Sequence, residues 1–229
     1  MRERPILFNA DMVCAVLDGR KTQTRRIMRE QPEVIPKEDE FGKPGFWIPF
    51  NAGKTMVRNE DMYIACPFGL KGDRLWVRET WSDVNLEGIP AVAYRADGDV
   101  YSPMDDKSFL DEDGAFNYDD SRVAKYDFTT WYPDLINGTE GRWRPSIHMP
   151  RWASRITLEI TGVRVERLAS VSTGDARAEG YPAERAADGG PLDAWLWFRD
   201  LWDGIYPEQS FKVNPWVWVV EFKRVEDDQ

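Results

Sequence analysis

The sequence of 229 residues predicts an α+β fold, in which short strands form a small mixed barrel with helices at its periphery. Three observations support this prediction. Strand-sized stretches of alternating apolar and polar residues recur along the chain. Only three segments carry the signals of a helix, which are apolar residues at helical spacing or residues typical of helix ends. A hydrophobic content of 42%, with 11 Trp, 8 Tyr and 11 Phe, supplies enough apolar area for the core of a globular protein.

The predicted strands lie in three parts of the chain. The stretch DRLWVRETW alternates around Leu75 and Val77, and AVAYRA follows it after a Gly/Pro break. In SRITLEITGVRVERL, the apolar residues Ile156, Leu158 and Ile160 alternate with polar ones. The C-terminal WVWVVEFKRV is predicted to place four apolar residues on one side: Trp216, Trp218, Val220 and Phe222. We therefore expect strands with one buried face and one wet face.

Three helices are predicted between these strands. The first runs from about Ala10 to Asp18, with Asn9 as its N-cap and Gly19 at its end. The second, in TGDARAE, begins with a capping box at Ser172 and stops at Gly180. The third is LDAWLWFRDLWDG, whose helical spacing predicts that its tryptophans lie in the core. A base-stacking surface is the alternative for those tryptophans.

The whole chain, residues 1–229, is predicted to be a single domain with two long insertions, at 29–61 and 97–141. The first insertion mixes prolines, glycines and charges without helical or strand periodicity. The second holds most of the acidity of a chain whose net charge is -10, with nine aspartates from Asp97 to Asp127. It does not fit a calcium loop, because Phe109 stands where the first ligand belongs. We expect a solvated insertion.

Composition excludes several classes of function. No apolar run approaches the roughly 18 to 20 residues that span a bilayer, and the N-terminus lacks the apolar core of a signal peptide. We therefore expect a cytoplasmic protein with no membrane partner. Cys14 and Cys66 are isolated and predicted to be reduced packing residues. A single histidine argues against a zinc site, so neither a metal nor a cofactor is expected.

The segment LDGRKTQTRRIM concentrates positive charge in this acidic chain. Its arginines close to Lys21 are Arg20, Arg25 and Arg26. Like charges disfavour the protonated lysine, and burial would lower its pKa further. Such a lysine can take the proton of the Thr24 hydroxyl and make it a nucleophile. In the extended segment Thr24 and Arg26 share one face, while Gln23 and Arg25 take the other. The alternative is a solvated strand.

Glu179 is the second candidate catalytic residue. It stands in the last turn of the second predicted helix, where the helix dipole disfavours negative charge. A carboxylate that breaks a local rule is a candidate for function. The alternative is an exposed glutamate of no special role, since this placement costs only a few tenths of a kcal/mol up to about 1 kcal/mol.

Other residues are candidates for substrate binding. Arg78 and Glu79 leave the LWVRETW strand toward Trp81, which could stack a base for about 1 to 3 kcal/mol. A second group lies in the segment HMPRW and comprises His148, Arg151 and Trp152. A histidine that only anchors the backbone is the alternative for this group.

The charged segment contains the pattern G-x-K-x-x-T-x-R, formed by Gly19, Lys21, Thr24 and Arg26. This pattern resembles the motif of the ASCH domain, a PUA-like β-barrel. The stretches DARAEG, GDRLWVRE and WVWVVEFKRV resemble a helix and two strands of that domain. RPILFNADMVCAVLDGRKTQTRR and WRPSIHMPRWASRITLEI resemble the longer ASCH proteins of bacteriophages and prophages. The resemblance covers about residues 1–30, 70–96 and 143–225 and omits both insertions.

The resemblance implies a function. Small bacterial ASCH proteins are amidohydrolases that remove the acetyl group from N4-acetylcytidine, and their Lys, Thr and Glu fall on Lys21, Thr24 and Glu179. Many other members have Glu in place of this Thr, and they bind RNA or have a proposed nuclease activity. We expect a hydrolase in which Lys21 activates Thr24 and Glu179 protonates the leaving amine. Arg20 and Arg26 would contact the substrate.

Two other functions remain open. The first is a PUA-like module without catalysis that binds single-stranded RNA or a modified nucleotide through its arginines and aromatic residues. The second is a phage accessory protein whose acidic insertion engages a host protein by charge.

Overall fold

The computed structural model describes residues 1–35, 45–50 and 53–225. Within these ranges the helices are α1 Ala10–Leu17, α2 Tyr132–Asn137, α3 Thr173–Ala178, α4 Ala183–Asp188 and α5 Asp193–Ile205. The strands are β1 Glu3–Leu7, β2 Gln23–Ile27, β3 Glu33–Ile35, β4 Gly45–Phe50, β5 Gly53–Arg58, β6 Arg74–Arg78, β7 Trp81–Leu86, β8 Ile89–Tyr94, β9 Val100–Tyr101, β10 Thr157–Arg167 and β11 Trp216–Val225. The α+β class is therefore confirmed.

The three predicted helices correspond to α1, α3 and α5. The six-residue helix α3 was predicted through its capping box, whereas α2 and α4, also six residues long, have no side-chain hydrogen bond at the N-cap and were missed. So short a helix shows no repeated apolar spacing, and its stability comes from packing rather than from its own sequence. Among the described residues no helix has both the length and the apolar character needed to cross a membrane.

The strands form three sheets. The largest has the order β1-β6-β10-β11-β2, and the other two have the orders β3-β4-β5 and β7-β8-β9. In the largest sheet β1 runs parallel to β6, because backbone hydrogen bonds join position 2 to 74 and position 8 to 78. At the other end of the same sheet, β11 and β2 run antiparallel to each other. Within the described residues this sheet ends at β1 and β2 and does not close into a barrel.

The chain divides into two compact units. Unit 1 consists of Met1–Arg4, Ala15–Leu75 and Leu158–Gln229. Unit 2 consists of Pro5–Cys14 and Trp76–Thr157.

The core of unit 1 lies between α5 and β11. Ala194, Phe198 and Trp202 follow one another at four-residue spacing, and each is at most 3% exposed. They pack with Val217 and Val219 of β11. Trp202 lies in this core and Trp195 packs against it, as expected for the tryptophans of α5. Leu192, which contributed to the predicted helical spacing, is 64% exposed.

The prediction that β11 has one wet face is wrong. Val217 and Val219 on one face, and Trp218 and Val220 on the other, are all at most 4% exposed. The reason is the position of β11 between β10 and β2, since an interior strand can be covered on both faces.

Unit 1 also contains most of the predicted insertion at 29–61. In it β3, β4 and β5 form an antiparallel sheet, although the sequence showed no strand periodicity there. Residues 36–44 and 51–52 of this insertion lie outside the described residues.

Unit 2 has an aromatic core to which the acidic segment contributes. Phe109, Phe116, Tyr126 and Phe128 of that segment pack together with Trp81. The aspartates of the segment lie mostly on the surface. The segment is therefore not simply solvated, because its aromatic residues turn inward while its carboxylates face water.

Candidate active site

The turn after α1 positions Lys21. The side chain of Asn9 caps the helix, accepting a hydrogen bond from the Met12 amide at 2.9 Å, as predicted. Gly19 ends it in the left-handed conformation, with φ of 73°. The Lys21 amide then donates to the carbonyl of Ala15 at 2.9 Å. The lysine is thus fixed to the C-terminal end of α1 in unit 1.

The short helix α3 positions Glu179. Its capping box is present as predicted: Ser172 Oγ accepts from the Asp175 amide at 3.0 Å, and Asp175 Oδ2 accepts from the Ser172 amide at 3.1 Å. Glu179 is the C-cap of this helix.

Gly180 allows α3 to end beside Lys21. Its φ of 103° is unfavourable for any residue with a side chain. A Cβ at this position would lie 2.9 Å from Cβ of Ala15 and 3.3 Å from Cβ of Lys21. Only glycine therefore permits this close approach.

Lys21 and Glu179 meet in the structure. Lys21 Nζ donates to Glu179 Oε2 at 3.0 Å and to the Glu179 carbonyl oxygen at 2.8 Å. Both residues are at most 4% exposed. Burial lowers the pKa of Lys21 because the protonated amine loses its hydration, while the Glu179 charge acts in the opposite direction. The neighbouring Arg26 and Arg25 add to the lowering.

Arg25 holds the second oxygen of Glu179. Its Nη1 donates to Glu179 Oε1 at 3.1 Å, and its Nη2 donates to Glu166 Oε2 at 3.2 Å. Asp175 lies 3.5 Å from the same Nη2. Sequence reasoning did not select Arg25 as a site residue. The available signal was strand alternation, which puts Arg25 on the face of Gln23, and Gln23 also contacts Asp175.

Thr24 lies on the opposite face of β2 from Arg25, by the alternation of the strand, and pairs with Val220 of β11. It is 1% exposed. Within the described part of the chain, its Oγ1 has no hydrogen-bond partner. The structure therefore brings Lys21 and Glu179 together but forms no hydrogen bond between them and the Thr24 hydroxyl. A buried hydroxyl without a partner typically costs about 1 to 3 kcal/mol.

The other cations of this segment differ in their surroundings. Arg20 donates to the carbonyl oxygens of Gly180 and Tyr181 at 3.1 and 3.2 Å, and it pairs with Asp18. It thereby fixes the chain just after Glu179. Arg26 is half-buried and shares the Thr24 face of β2.

The remaining predicted substrate-binding residues belong to unit 2. Glu79 is 2% exposed, and both of its oxygens accept hydrogen bonds from Arg155 at 2.9 Å. Burial raises the pKa of Glu79, and the Arg155 interaction opposes this effect. Arg155 also pairs with Asp97 and Asp99. The Glu79 carboxylate is therefore fully engaged within its own unit.

Trp81 is fully buried, with its ring centroid 5.3 Å from that of Tyr126. This contradicts the expectation that Trp81 stacks on a base, because its ring faces are covered by the core of unit 2. Trp152 is half-buried, contacts the same core, and donates through Nε1 to the Arg122 carbonyl at 3.1 Å.

Arg78, Arg151 and His148 form the more open part of the predicted binding set. The guanidinium carbon of Arg78 lies 4.6 Å from the Trp76 ring centroid, and that of Arg151 lies 6.0 Å from it. Arg78 Nη1 donates to the Ile147 carbonyl at 3.2 Å. His148 is exposed.

No family model, no curated protein and no solved structure matches this chain. The resemblance to the ASCH domain therefore rests on the sequence motifs alone. Among the described residues no group of three or more His, Cys, Asp or Glu side chains could hold a metal ion.

Proposed function

We propose that this protein is an amidohydrolase that removes an acyl group from a modified pyrimidine nucleoside of the N4-acetylcytidine type. The proposal includes a PUA-like scaffold of the ASCH kind, in which the five-stranded sheet stays open within the described residues. The observation that carries it is the contact of Lys21 with Glu179, which places an amine and a carboxylate 3.0 Å apart in a buried site. The two residues are 158 positions apart in the chain. The resemblance to the ASCH amidohydrolases assigns both of them to one site.

The Lys21–Glu179 contact supplies the protonation states that the reaction requires. Transfer of one proton across it converts the ion pair into a neutral amine and a carboxylic acid. The lowered pKa of Lys21 favours this transfer. The amine can then act as a general base and the acid as a general acid.

In the first step Lys21 takes the proton of Thr24, and Thr24 Oγ1 bonds to the acetyl carbonyl carbon. In the structure Lys21 Nζ bonds Glu179, whereas Thr24 lies on the opposite face of β2 from Arg25, the other partner of Glu179. The reaction therefore requires that substrate binding turn the Lys21 amine around the start of β2 toward the Thr24 hydroxyl. Lys21, Thr24 and Glu179 are at most 4% exposed, so neighbouring residues must move to admit a nucleoside. Catalytic hydrogen bonds often form only in the complex with substrate.

In the second step the C–N bond breaks, and the amine of cytidine leaves with the proton of Glu179. Lys21 returns its proton to Glu179 across their contact. Water then hydrolyses the acetyl-threonine to acetate and restores the hydroxyl. Arg26, on the Thr24 face of β2, would stabilise the oxyanion of each tetrahedral intermediate.

Incubation with N4-acetylcytidine tests this proposal. We expect the wild-type protein to release cytidine and acetate in equal amounts, and Lys21→Met to release them about a thousandfold more slowly. A folded wild-type protein that leaves N4-acetylcytidine and related N4-acyl nucleosides intact would rule out the hydrolase.

A second candidate function is the binding of single-stranded RNA without catalysis. The observation that favours it is in unit 2, where the guanidinium groups of Arg78 and Arg151 lie near the Trp76 ring. His148, in the same unit, is exposed. Filter binding with RNA across a salt series should then show an affinity that falls with salt, and Arg78→Ala with Arg151→Ala should reduce it. Equal RNA affinity for wild type and the double variant would reject this surface. A host partner for the acidic insertion stays a prediction.

A further inference from the structure

Arg25 directly contacts a proposed catalytic side chain, the carboxylate of Glu179. The motif that resembles the ASCH pattern places its arginine at position 26 instead. Arg25 is 2% exposed, so its guanidinium has few ways to move. Its role therefore needs an explanation that the motif does not supply.

The geometry around Glu179 divides its carboxylate between two cations. Oε1 accepts from Arg25 and Oε2 accepts from Lys21. While Arg25 holds Oε1, the carboxylate cannot rotate without breaking a buried charge-assisted hydrogen bond. Oε2 is thereby kept toward the amine.

Arg25 is itself held on its other side. Its Nη2 donates to Glu166 at 3.2 Å and lies 3.5 Å from Asp175. Asp175 is the residue of the α3 capping box that pairs with the N-cap Ser172. The planar guanidinium can span these partners, which the single ammonium of a lysine cannot do. Arg25 thus links the orientation of Glu179 to the first turn of α3.

We propose that Arg25 is a positioning residue, which fixes Glu179 so that its Oε2 exchanges a proton with Lys21. This inference rests on the proposed function, because it assigns Arg25 to the same site. It adds that the arginine required for positioning is Arg25, beside any role of Arg26 toward the substrate.

Arg25 also has an electrostatic effect on Lys21 that can be measured. Its positive charge is among the causes that lower the pKa of Lys21. Removing that charge should let the amine keep its proton to a higher pH. The site is active with one proton on the Lys21–Glu179 pair. The limb of the pH–rate profile that rises as the doubly protonated pair loses its first proton should then move to higher pH.

The test compares three variants in N4-acetylcytidine hydrolysis. For Arg25→Met we expect kcat to fall about 10- to 100-fold with KM within about twofold, and the rising limb to move to higher pH. Arg25→Lys keeps the positive charge but not the planar guanidinium that spans several partners. Its kcat should therefore fall while the rising limb of the pH–rate profile stays in place. Arg164→Met is the control, since Arg164 bonds Glu166 and Asp175 of the same network.

The control should retain the wild-type pH profile. If Arg25→Met and Arg164→Met give the same kcat and the same profile, the positioning role of Arg25 is wrong. Should Arg25→Met fail to fold, Arg25→Lys decides, because a kcat equal to that of wild type would also overturn the role.

A second measurement separates this inference from the hydrolase proposal. NMR titration of the Lys21 side chain in wild type, Arg25→Met and Arg164→Met needs no substrate. A wild-type protein without hydrolase activity would reject the proposed function. In that case a Lys21 titration midpoint raised only in Arg25→Met would still support the link from Arg25 to this pair, and an unchanged midpoint would overturn it.

Discussion

Each of the two units buries a glutamate that is paired with arginine, but the pairs differ in one respect. In unit 2 both oxygens of Glu79 go to a single arginine, Arg155. In unit 1 the oxygens of Glu179 are divided between Arg25 and Lys21. Arginine stays protonated at any ordinary pH, whereas a buried lysine can lose its proton.

The difference separates an ion pair suited to stability from one suited to proton transfer. Arg155 is further engaged by Asp97 and Asp99, so the Glu79 cluster has its charges satisfied within unit 2. The Glu179 site contains Lys21, whose pKa is lowered. Three residues further along the chain lies the buried hydroxyl of Thr24, whose oxygen has no hydrogen-bond partner among the described residues. Burial and pairing alone therefore do not distinguish the two glutamates, whereas the kind of cation does.

The largest expected contrast comes from removing one cation from each glutamate. Arg155→Met leaves Glu79 buried without its partner and should destabilise the protein by about 3 to 5 kcal/mol. Lys21→Met leaves Glu179 with Arg25, so the fold should persist while kcat/KM falls about a thousandfold. Chemical denaturation and hydrolysis kinetics measure both effects. Equal losses of stability in the two variants would mean that the Lys21 pair is also only structural.

A smaller contrast comes from two glycines of unit 1. Gly180→Ala places a Cβ against Ala15 and Lys21 at a positive φ, and we expect a loss of about 2 to 3 kcal/mol together with reduced kcat. Gly190 is the matched control, since a Cβ there meets nothing within 4 Å. Thermal unfolding and hydrolysis kinetics test the pair. Tolerance of Gly180→Ala would show that the approach of α3 to Lys21 is looser than described.

Asp175 gives a still smaller effect, which depends on pH. Burial alone would raise the pKa of Asp175, but hydrogen bonds from Ser172 and the charge of Arg25 outweigh it and lower the pKa to about 2. A carboxyl with a lowered pKa stabilises the fold above its unfolded pKa of about 4, and this contribution is lost as the pH falls toward 2. Asp175→Asn should therefore cost about 1 kcal/mol at pH 7 and progressively less between pH 4 and pH 2. A constant difference across that range, measured by urea unfolding, would contradict this account.

Local signals predicted the elements that carry the site. Asn9 and Gly19 marked the ends of α1, and the capping box at Ser172 marked the start of α3. Glu179 stood out because its charge opposes the helix dipole. These signals depend on neighbours within a few positions, so a single sequence contains them.

Contacts between distant segments could not be predicted in the same way. Trp81 looked free to stack on a base because its covering residue Tyr126 is 45 positions away and lies in an acidic segment. The wet face expected for β11 is buried instead, because strand order, not strand sequence, decides which faces of a strand are covered. The contacts of Arg25 with Glu179 and Glu166 were not predicted, because both glutamates lie more than a hundred positions away along the chain.

The most direct test of the central claim is Thr24→Val, measured at once for hydrolysis and for thermal stability. Because the buried hydroxyl has no partner among the described residues, valine should raise the free energy of unfolding by about 1 kcal/mol. Because the same hydroxyl is the proposed nucleophile, N4-acetylcytidine hydrolysis should cease, while Thr24→Ser keeps part of it. A Thr24→Val protein that hydrolyses N4-acetylcytidine at the wild-type rate would contradict the account.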